Sequence, residues 1–338
     1  MPHSFKLSRR IARLRVPFFA ALIAALGACD NGNSFTSDSG ASSEPQIADQ
    51  GLTIDEPATV QDGDAALDAT APAEGLSLAS VSFSGGIPFG TYHQPNTEFG
   101  TRYNGALRNI YPQYVASNLA AIKSRGGKVI LSMAGSESNY RDASGNFSLS
   151  KWKARIDRYK GIDLARWVQD GTLIGHYLMD EPNDPTNWNG KQVSPATVEE
   201  MARYSKALFP SVPTIVRAYP DYMSKYSGTY RYLDAAWAQY VVRKGNVNTF
   251  IADNVSKAKS KGLALVVGLN ILKGNNGSPL SATQVKSFGA ALLSSTYPCA
   301  FISWQYSSSY LSSSSIKSAM DYLRDKSESR SLKSCRGS

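Results

Sequence analysis

Residues 263–270 read LALVVGLN, residues 300–306 read AFISWQY, and between them residues 281–294 read SATQVKSFGAALLS. Nearly continuous apolar runs are typical of strands that are buried on both faces of a parallel sheet. The middle segment begins with Ser281, a residue type that caps helix N-termini. The three segments together predict a strand–helix–strand unit, because parallel strands need a long crossover connection, which is usually a helix.

The same alternation extends through the rest of the chain. Alternating strands and helices over about 260 residues predict an α/β fold, a (β/α)8 TIM barrel, with an open doubly wound sheet as the alternative. No G-x-G-x-x-G follows the first strand, which disfavours a dinucleotide-binding fold. Seven strands are predicted, and we expect the eighth within the Gly-, Tyr- and Asn-rich stretch 87–110. The strands are 76–83, 128–134, 173–180, 214–219, 235–242, 263–270 and 300–306, and the helices are 112–124, 148–170 with a break near Gly161, 194–208, 247–261, 281–294 and 315–326.

The N-terminus has the pattern of a secretory signal peptide. Residues 1–16 carry five Lys or Arg and no acid, and residues 17–28 are an apolar run. That run is shorter than the ~20 residues needed to span a bilayer. The following Leu26-Gly-Ala-Cys29 resembles the lipobox of bacterial lipoproteins. The resemblance implies a signal peptide over 1–28, a lipid on Cys29, and an exported protein anchored to a bacterial membrane, facing the periplasm or the cell exterior.

Charge divides the remaining chain into two parts. Residues 29–75 contain ten Asp or Glu and no Lys or Arg, a composition that predicts a disordered acidic linker. Without the leader and the linker, residues 76–338 keep 31 basic and 17 acidic residues, a net charge of +14. This domain is expected to contact a polyanion such as an acidic polysaccharide, a cell-surface glycan or lipid headgroups, or simply to carry solvated surface charge. Lipidated export argues against a nucleic-acid partner, and we expect a monomer.

Two cysteines remain in the domain. Cys299 begins a predicted strand, and Cys335 follows the last predicted helix, which should return the chain to the start of that strand. An even pair in an oxidising compartment can form a disulfide. We therefore expect Cys299 and Cys335 to be bonded, with two free thiols as the alternative.

Function in such a barrel lies at the carboxyl ends of the strands. The residues there are carboxylates, amides, an arginine and aromatics, the groups that move protons and bind sugar hydroxyls and rings. Metal ligands are scarce, because His93 and His176 are the only histidines of the domain and do not make a zinc site. We expect no metal and no cofactor. The candidate substrate-binding residues are Tyr177, Arg217, Tyr219, Trp237, Gln239, Asn270, Trp304 and Gln305.

One strand end permits a comparison with a known family. Residues 175–182 read GHYLMDEP and resemble the Asn/Asp-Glu-Pro strand end of TIM-barrel glycoside hydrolases, especially the large clan of retaining enzymes. The resemblance implies that Glu181 is the general acid/base and that Asp180 is its hydrogen-bonding neighbour near the sugar 2-hydroxyl. Trp304 on the last strand resembles the tryptophan that often forms the floor of the sugar site.

The sequence departs from that family at the second carboxylate. The retaining enzymes have another Glu at the end of a late strand, where this chain has Asn270 and the Trp304-Gln305-Tyr306 run. The second carboxylate could be Glu137 or Asp221, and a wider separation would then imply inversion. Alternatively, an N-acetyl group of the substrate assists, or the protein only binds glycan.

Arg217 raises two further alternatives. If its side chain faces the pocket, it could hold an anionic sugar substituent. Together with Tyr219 it also leaves a polysaccharide lyase open. The favoured interpretation is a lipid-anchored glycoside hydrolase whose catalytic candidates are Glu181, Asp180, Glu137 and Asp221.

Overall fold

The computed structural model of the chain describes residues 85–337. The signal peptide over 1–28, Cys29, the linker over 29–75 and the predicted strand 76–83 lie outside the described residues. Eight parallel strands form a closed barrel in sequence order, and β8 pairs with β1. The predicted (β/α)8 barrel is confirmed. The strands are β1 Phe89–Tyr92, β2 Gly105–Asn109, β3 Lys128–Ser132, β4 Leu173–Asp180, β5 Thr214–Arg217, β6 Ala235–Tyr240, β7 Ala264–Leu269 and β8 Ala300–Ser303.

The stretch 87–110 contains two strands, so the expectation of a single strand there was wrong. β1 and β2 pair with Gly90 opposite Gly105. A Cβ on Gly90 would lie 1.7 Å from the carbonyl oxygen of Gly105. Glycine in sequence is typical of loops, but here it allows two backbones to approach each other. With both strands present, the eight described strands close the barrel.

Helices separate most of the strands and cover the outside of the barrel. The predicted N-caps are confirmed, since the side chains of Ser194 and Ser281 accept hydrogen bonds from the backbones of Thr197 and Gln284. The predicted break near Gly161 separates α2 from α3. Helices α5 and α8 were not predicted, because a helix of four residues is too short to show a periodic sequence pattern. The helices are α1 Val115–Ser124, α2 Leu149–Asp157, α3 Ala165–Gln169, α4 Pro195–Leu208, α5 Pro220–Met223, α6 Val247–Ser260, α7 Ala282–Ser294, α8 Ser308–Leu311 and α9 Ser314–Glu328.

Apolar side chains form two buried clusters, one between strands and helices and one inside the barrel. Strand β6 supplies both, since Ala236, Ala238 and Tyr240 belong to the outer cluster and Trp237 belongs to the inner one. This alternation follows from the two-residue period of a strand. The inner cluster also includes Tyr177 of β4, so large aromatics fill the barrel interior beneath its carboxyl-end mouth.

The predicted disulfide is confirmed. Cys299 and Cys335 are bonded, with Cα atoms 5.3 Å apart, and both residues are buried. The bond fastens the segment after α9 to the start of β8. Within residues 85–337, no helix combines the length and apolar character needed to cross a membrane.

Candidate active site

The end of β4 is irregular, and the irregularity positions two carboxylates. Three steps along β4, from Tyr177 to Asp180, match two steps along β5, so β4 contains an extra residue of the kind found in β-bulges. Such bulges redirect side chains at barrel rims. Because of this shift, Asp180 lies opposite Arg217 at the carboxyl end of β5.

Glu181 follows the bulge with an unusual backbone. Its φ is +30°, in a region that non-glycine residues seldom occupy and that costs roughly 1–3 kcal/mol. The backbone is held on both sides, since Glu181 N donates to the Arg217 carbonyl at 3.0 Å and the Glu181 carbonyl accepts from Asp184 N at 2.9 Å. Trp188 Nε1 also donates to that carbonyl at 3.4 Å. Such strain occurs preferentially at functional sites.

Arg217 connects the two carboxylates. Its Nε lies 2.9 Å from Asp180 Oδ1, and its Nη2 lies 2.8 Å from Glu181 Oε1. The arginine is 8% exposed. Burial lowers its pKa, but the Asp180 and Glu181 carboxylates outweigh this effect, and the pKa lies well above its usual value. Nearly all of the guanidinium is thus enclosed, and its single positive charge faces two carboxylates of the same chain.

Trp304 and Tyr92 form an aromatic pair beside this cluster. Their rings stack with centroids 4.6 Å apart and planes 14° apart. The Arg217 Cζ lies 4.9 Å from the centre of the Trp304 ring, within cation–π range. The peptide bond between Trp304 and Gln305 is cis. Trp304 directly follows β8, and its ring lies against the arginine.

Glu137 is the third carboxylate of the cluster. It begins the 3-10 turn Glu137–Tyr140 after β3, and its Oε2 lies 3.5 Å from Arg141 Nη2. Burial raises the pKa of Glu137 to about 8; the Asp180 carboxylate adds to the rise, Arg141 and Arg217 oppose it, and Glu181 contributes least. At neutral pH, Glu137 is therefore mostly protonated beside its charged neighbours.

Tyrosines and amides line the barrel interior below the carboxylates. Burial raises the pKa of Tyr177, and the Asp180 carboxylate adds to the rise. Trp237 packs edge-on against Tyr177 at 5.9 Å. Gln239 Nε2 donates to the Leu269 carbonyl at 2.9 Å. Within residues 85–337, the buried Trp237 Nε1 and Gln239 Oε1 have no protein hydrogen-bond partner, so both can bind a ligand or solvent.

Four further predicted residues lie outside the Arg217 ion pairs. The Asp221 side chain on α5 is 67% exposed and forms an ion pair with Lys257, so the fold does not bring it to the Arg217 cluster. Asn270 Oδ1 accepts a hydrogen bond from Lys273 N at 2.9 Å and thereby closes a turn. Tyr219 donates its hydroxyl to the Gln239 carbonyl at 3.0 Å. Gln305 is half-buried next to Trp304.

Sequence reasoning missed Tyr92, Tyr140 and Arg141. The four-residue spacing of Glu137 and Arg141 was a usable signal, because residues at that spacing often pair. Tyr140 is buried, and burial, then Glu137 and Asp180, raise its pKa. No signal marked Tyr92, since it lies in the stretch that resembles a loop.

The two histidines have different surroundings: the His93 ring stacks on Tyr92 with centroids 3.8 Å apart, whereas His176 lies away from the cluster. His176 is fully buried, its Nδ1 lies 2.7 Å from Ser205 Oγ on α4, and burial lowers its pKa to about 3. It therefore stays neutral on the outer side of β4. Among residues 85–337, no group of three or more His, Cys, Asp or Glu is arranged to hold a metal ion.

The chain is similar to known proteins in fold and not in sequence. No protein-family model matches the sequence, and no curated protein is similar to it. Solved glycoside hydrolases share the barrel. A family 30 subfamily 8 xylanase from Clostridium acetobutylicum has 13% identity and a TM-score of 0.46, covering 70% of each chain. A β-glucanase from Saccharophagus degradans has 11% identity and a TM-score of 0.49, covering 72% of this chain and 88% of that one.

A third similar structure is the catalytic domain of the major endoglucanase from Xanthomonas campestris pv. campestris. It has 11% identity and a TM-score of 0.47, covering 71% of this chain and 94% of that one. At these values the similarity is no guide to activity.

Proposed function

We propose that the protein is a glycoside hydrolase in which Glu137 and Glu181 are the two working carboxylates. The observation that carries the proposal is the position of Arg217, whose Nη2 lies 2.8 Å from Glu181 Oε1, and Glu137, whose pKa burial raises to about 8, is influenced by the same arginine. Glycosidases need one carboxylic acid that carries a proton and one carboxylate that is charged. Aromatic rings at the same mouth, Trp304 and Tyr92, suit a sugar ring.

The charges suggest a role for each carboxylate. A guanidinium within hydrogen-bond distance favours the charged form of Glu181. Glu137 then donates its proton to the leaving glycosidic oxygen as its bond to the anomeric carbon breaks, and the negative Glu181 stabilises the positive charge that develops on that carbon. A water molecule adds to the anomeric carbon and gives its proton to the deprotonated Glu137, which completes hydrolysis. In this assignment Glu137 is the proton donor, whereas the family resemblance implies that role for Glu181. Asp180 Oδ1 lies 2.9 Å from Arg217 Nε and fixes the guanidinium.

Arg217 is better suited to orienting carboxylates than to binding an anionic substituent. Its charge already faces Asp180 and Glu181 at 2.9 and 2.8 Å. A third carboxylate from the substrate would meet an excess of negative charge, and like charges at such distances repel. Arg217 therefore orients Glu181 and shields it from Asp180.

The test is release of reducing sugar from neutral, acidic and N-acetylated polysaccharides by the full-length chain. Glu181→Gln and Glu137→Gln are expected to lose most of the activity, since each removes one half of the pair. Asp325→Asn is the matched control, because it removes a carboxylate from the exposed side of α9. Full activity in both site variants would refute the proposal.

Two other outcomes of the same assay would indicate a different function. Glycan binding with no turnover in the wild-type chain would show a non-catalytic binding protein. Turnover that yields an unsaturated, ultraviolet-absorbing product would show a polysaccharide lyase. Either result would overturn the assignment of hydrolysis.

We also propose that the protein is exported and anchored through a lipid on Cys29. The supporting observations are the LGAC sequence at 26–29 and the Cys299–Cys335 bond, a bond typical of oxidising compartments. Metabolic labelling of bacteria with a fatty-acid analogue should label the wild-type chain and not Cys29→Ser. Equal labelling of both proteins would refute the anchor.

A further inference from the structure

A groove with a volume of about 470 Å³ lies next to the barrel mouth. It is formed by the segments that follow β4, β5 and β6 and is open to solvent. Asn183, two residues after Glu181, and Tyr219, two residues after Arg217, both line it. We name it the lysine groove after its charged lining residues, which are Lys225, Lys244, Lys257, Asp221 and Asp253.

The three lysines of the groove converge on one carboxylate. Lys257 Nζ forms an ion pair with Asp221 Oδ1 at 2.5 Å. The pKa of Asp221 is lowered first by this hydrogen bond and then by the charges of Lys257, Lys225 and Lys244. Ammonium groups from two separate segments of the chain are therefore near enough to act together on one anion.

Tyr219 joins the lysine groove to the mouth. Its hydroxyl donates to the Gln239 carbonyl at 3.0 Å, and Lys244 Nζ lies 4.2 Å from the centre of its ring. Its neighbour in the chain, Arg217, is close enough for the two to interact electrostatically. Tyr219 therefore contacts a lysine of the groove and lies near the arginine of the mouth.

The charge of the groove is positive by one, since three lysines face two aspartates. The whole region 76–338 has 31 basic and 17 acidic residues, so the surrounding field has the same sign. A positive groove beside the mouth concentrates anionic ligands.

We propose that the lysine groove binds a negatively charged substituent, a carboxylate or a sulfate, on a sugar unit next to the one that is cleaved. The substrate is then an acidic polysaccharide, and its charge is recognised beside the mouth, where Lys225 and Lys244 lie. The position relative to the cleaved bond rests on the proposed hydrolase function. The binding of the charged group rests on the groove alone.

The experiment measures binding by calorimetry in the full-length Glu137→Gln protein, so that turnover does not interfere. The probes are galacturonate oligomers for carboxylate, carrageenan oligomers for sulfate and cello-oligomers as the neutral reference. We expect one or both acidic probes to bind more tightly than the neutral one and to weaken as salt is added. Whichever acidic probe binds more tightly identifies the anion.

Variants of opposite charge make the test specific. Lys225→Gln and Lys244→Gln should each weaken acidic binding by about two- to fivefold, the range of exposed ion pairs. Asp221→Asn and Asp253→Asn should tighten it, because each removes a negative charge from the groove. Tighter binding by these two variants could not result from misfolding, because a misfolded protein would bind less. Lys326→Gln, in the last turn of α9 at the other end of the barrel, is the charge-matched control and should leave binding unchanged.

Several results would overturn the proposal. These are equal affinity for neutral and acidic probes, no effect of the groove variants, or a loss in Lys326→Gln as large as in Lys225→Gln. The hydrolase assignment fails separately, through absent turnover in the wild-type chain. Turnover of neutral glycans alone, dependent on Glu137 and Glu181, would keep the hydrolase and refute the acidic substrate.

Discussion

Arg217 Nη2 lies 2.8 Å from Glu181 Oε1, and this contact joins the end of β5 to the residue that follows β4. The same guanidinium holds Asp180 through Nε at 2.9 Å. The backbones reinforce the pair, since Glu181 N donates to the Arg217 carbonyl. The orientation of the proposed catalytic carboxylate therefore depends on the next strand of the barrel.

Replacing Arg217 should destabilise the protein. Arg217→Met leaves Asp180 and Glu181, whose side chains are 21% and 19% exposed, without their cation. Loss of one partner of a largely buried pair costs about 3–5 kcal/mol, which denaturant titration would measure. Lys123→Met removes the cation of an ion pair in which that lysine is 56% exposed and should change the unfolding free energy far less. Equal losses in the two variants would contradict the assigned role.

Activity should fall on the alkaline side of neutrality. The pKa of Glu137 is raised to about 8 by burial first and by Asp180 second, so the proton that it donates is lost above that pH. The pH profile of kcat/KM should therefore decline above about pH 8, and Asp325→Asn should keep this decline. The residual activity of Glu137→Gln should not show this alkaline decline. An unchanged decline in that variant would assign the proton to another group.

The same group makes stability depend on pH. Glu137 titrates near 4.5 when unperturbed and near 8 in the folded protein. Its protonated form therefore contributes stability that is fully present below about pH 4.5 and is lost as pH rises to about 8. Denaturant titrations across this window should show a smaller decline in Glu137→Gln than in the wild type. Parallel curves would contradict the raised pKa.

The disulfide should contribute substantially to stability. Cys299 and Cys335 are separated by 36 positions, and closing a loop of that size stabilises a fold by about 4 kcal/mol in the chain-entropy model. The double replacement by serine should lower the melting temperature, and a reductant should not lower it further. Cys29→Ser is the control and should melt like the wild type.

The close approach of β1 and β2 predicts that Gly90 tolerates no side chain. In Gly90→Ala the new Cβ would lie 1.7 Å from the Gly105 carbonyl oxygen. Overpacking of this kind costs about 1–3 kcal/mol or more, because the two strands must separate. Gly85→Ala, whose Cβ meets nothing within 4 Å, should be neutral in thermal melts. A stable Gly90→Ala protein would refute the packing.

The sequence predicted elements whose signals are local. The caps at Ser194 and Ser281 and the long apolar runs led to helices and strands that the structure contains. β1 and β2 were not predicted as two separate strands, because their glycines allow a close contact between segments that are apart in sequence. The Glu181 candidate came from a contiguous motif, whereas the surroundings of Glu137 depend on four different loops and strands.

Periodicity, capping residues and the Asp180–Glu181 order determined that the chain forms a barrel with carboxylates at the end of β4. Tertiary structure decided which groups those carboxylates meet. It brought Arg217 and Glu137 to them and left Asp221 among lysines. The reason is physical: hydrophobic burial and hydrogen bonding within an element follow neighbouring residues, while ion pairing and desolvation depend on distances through space, which the closed barrel alone establishes.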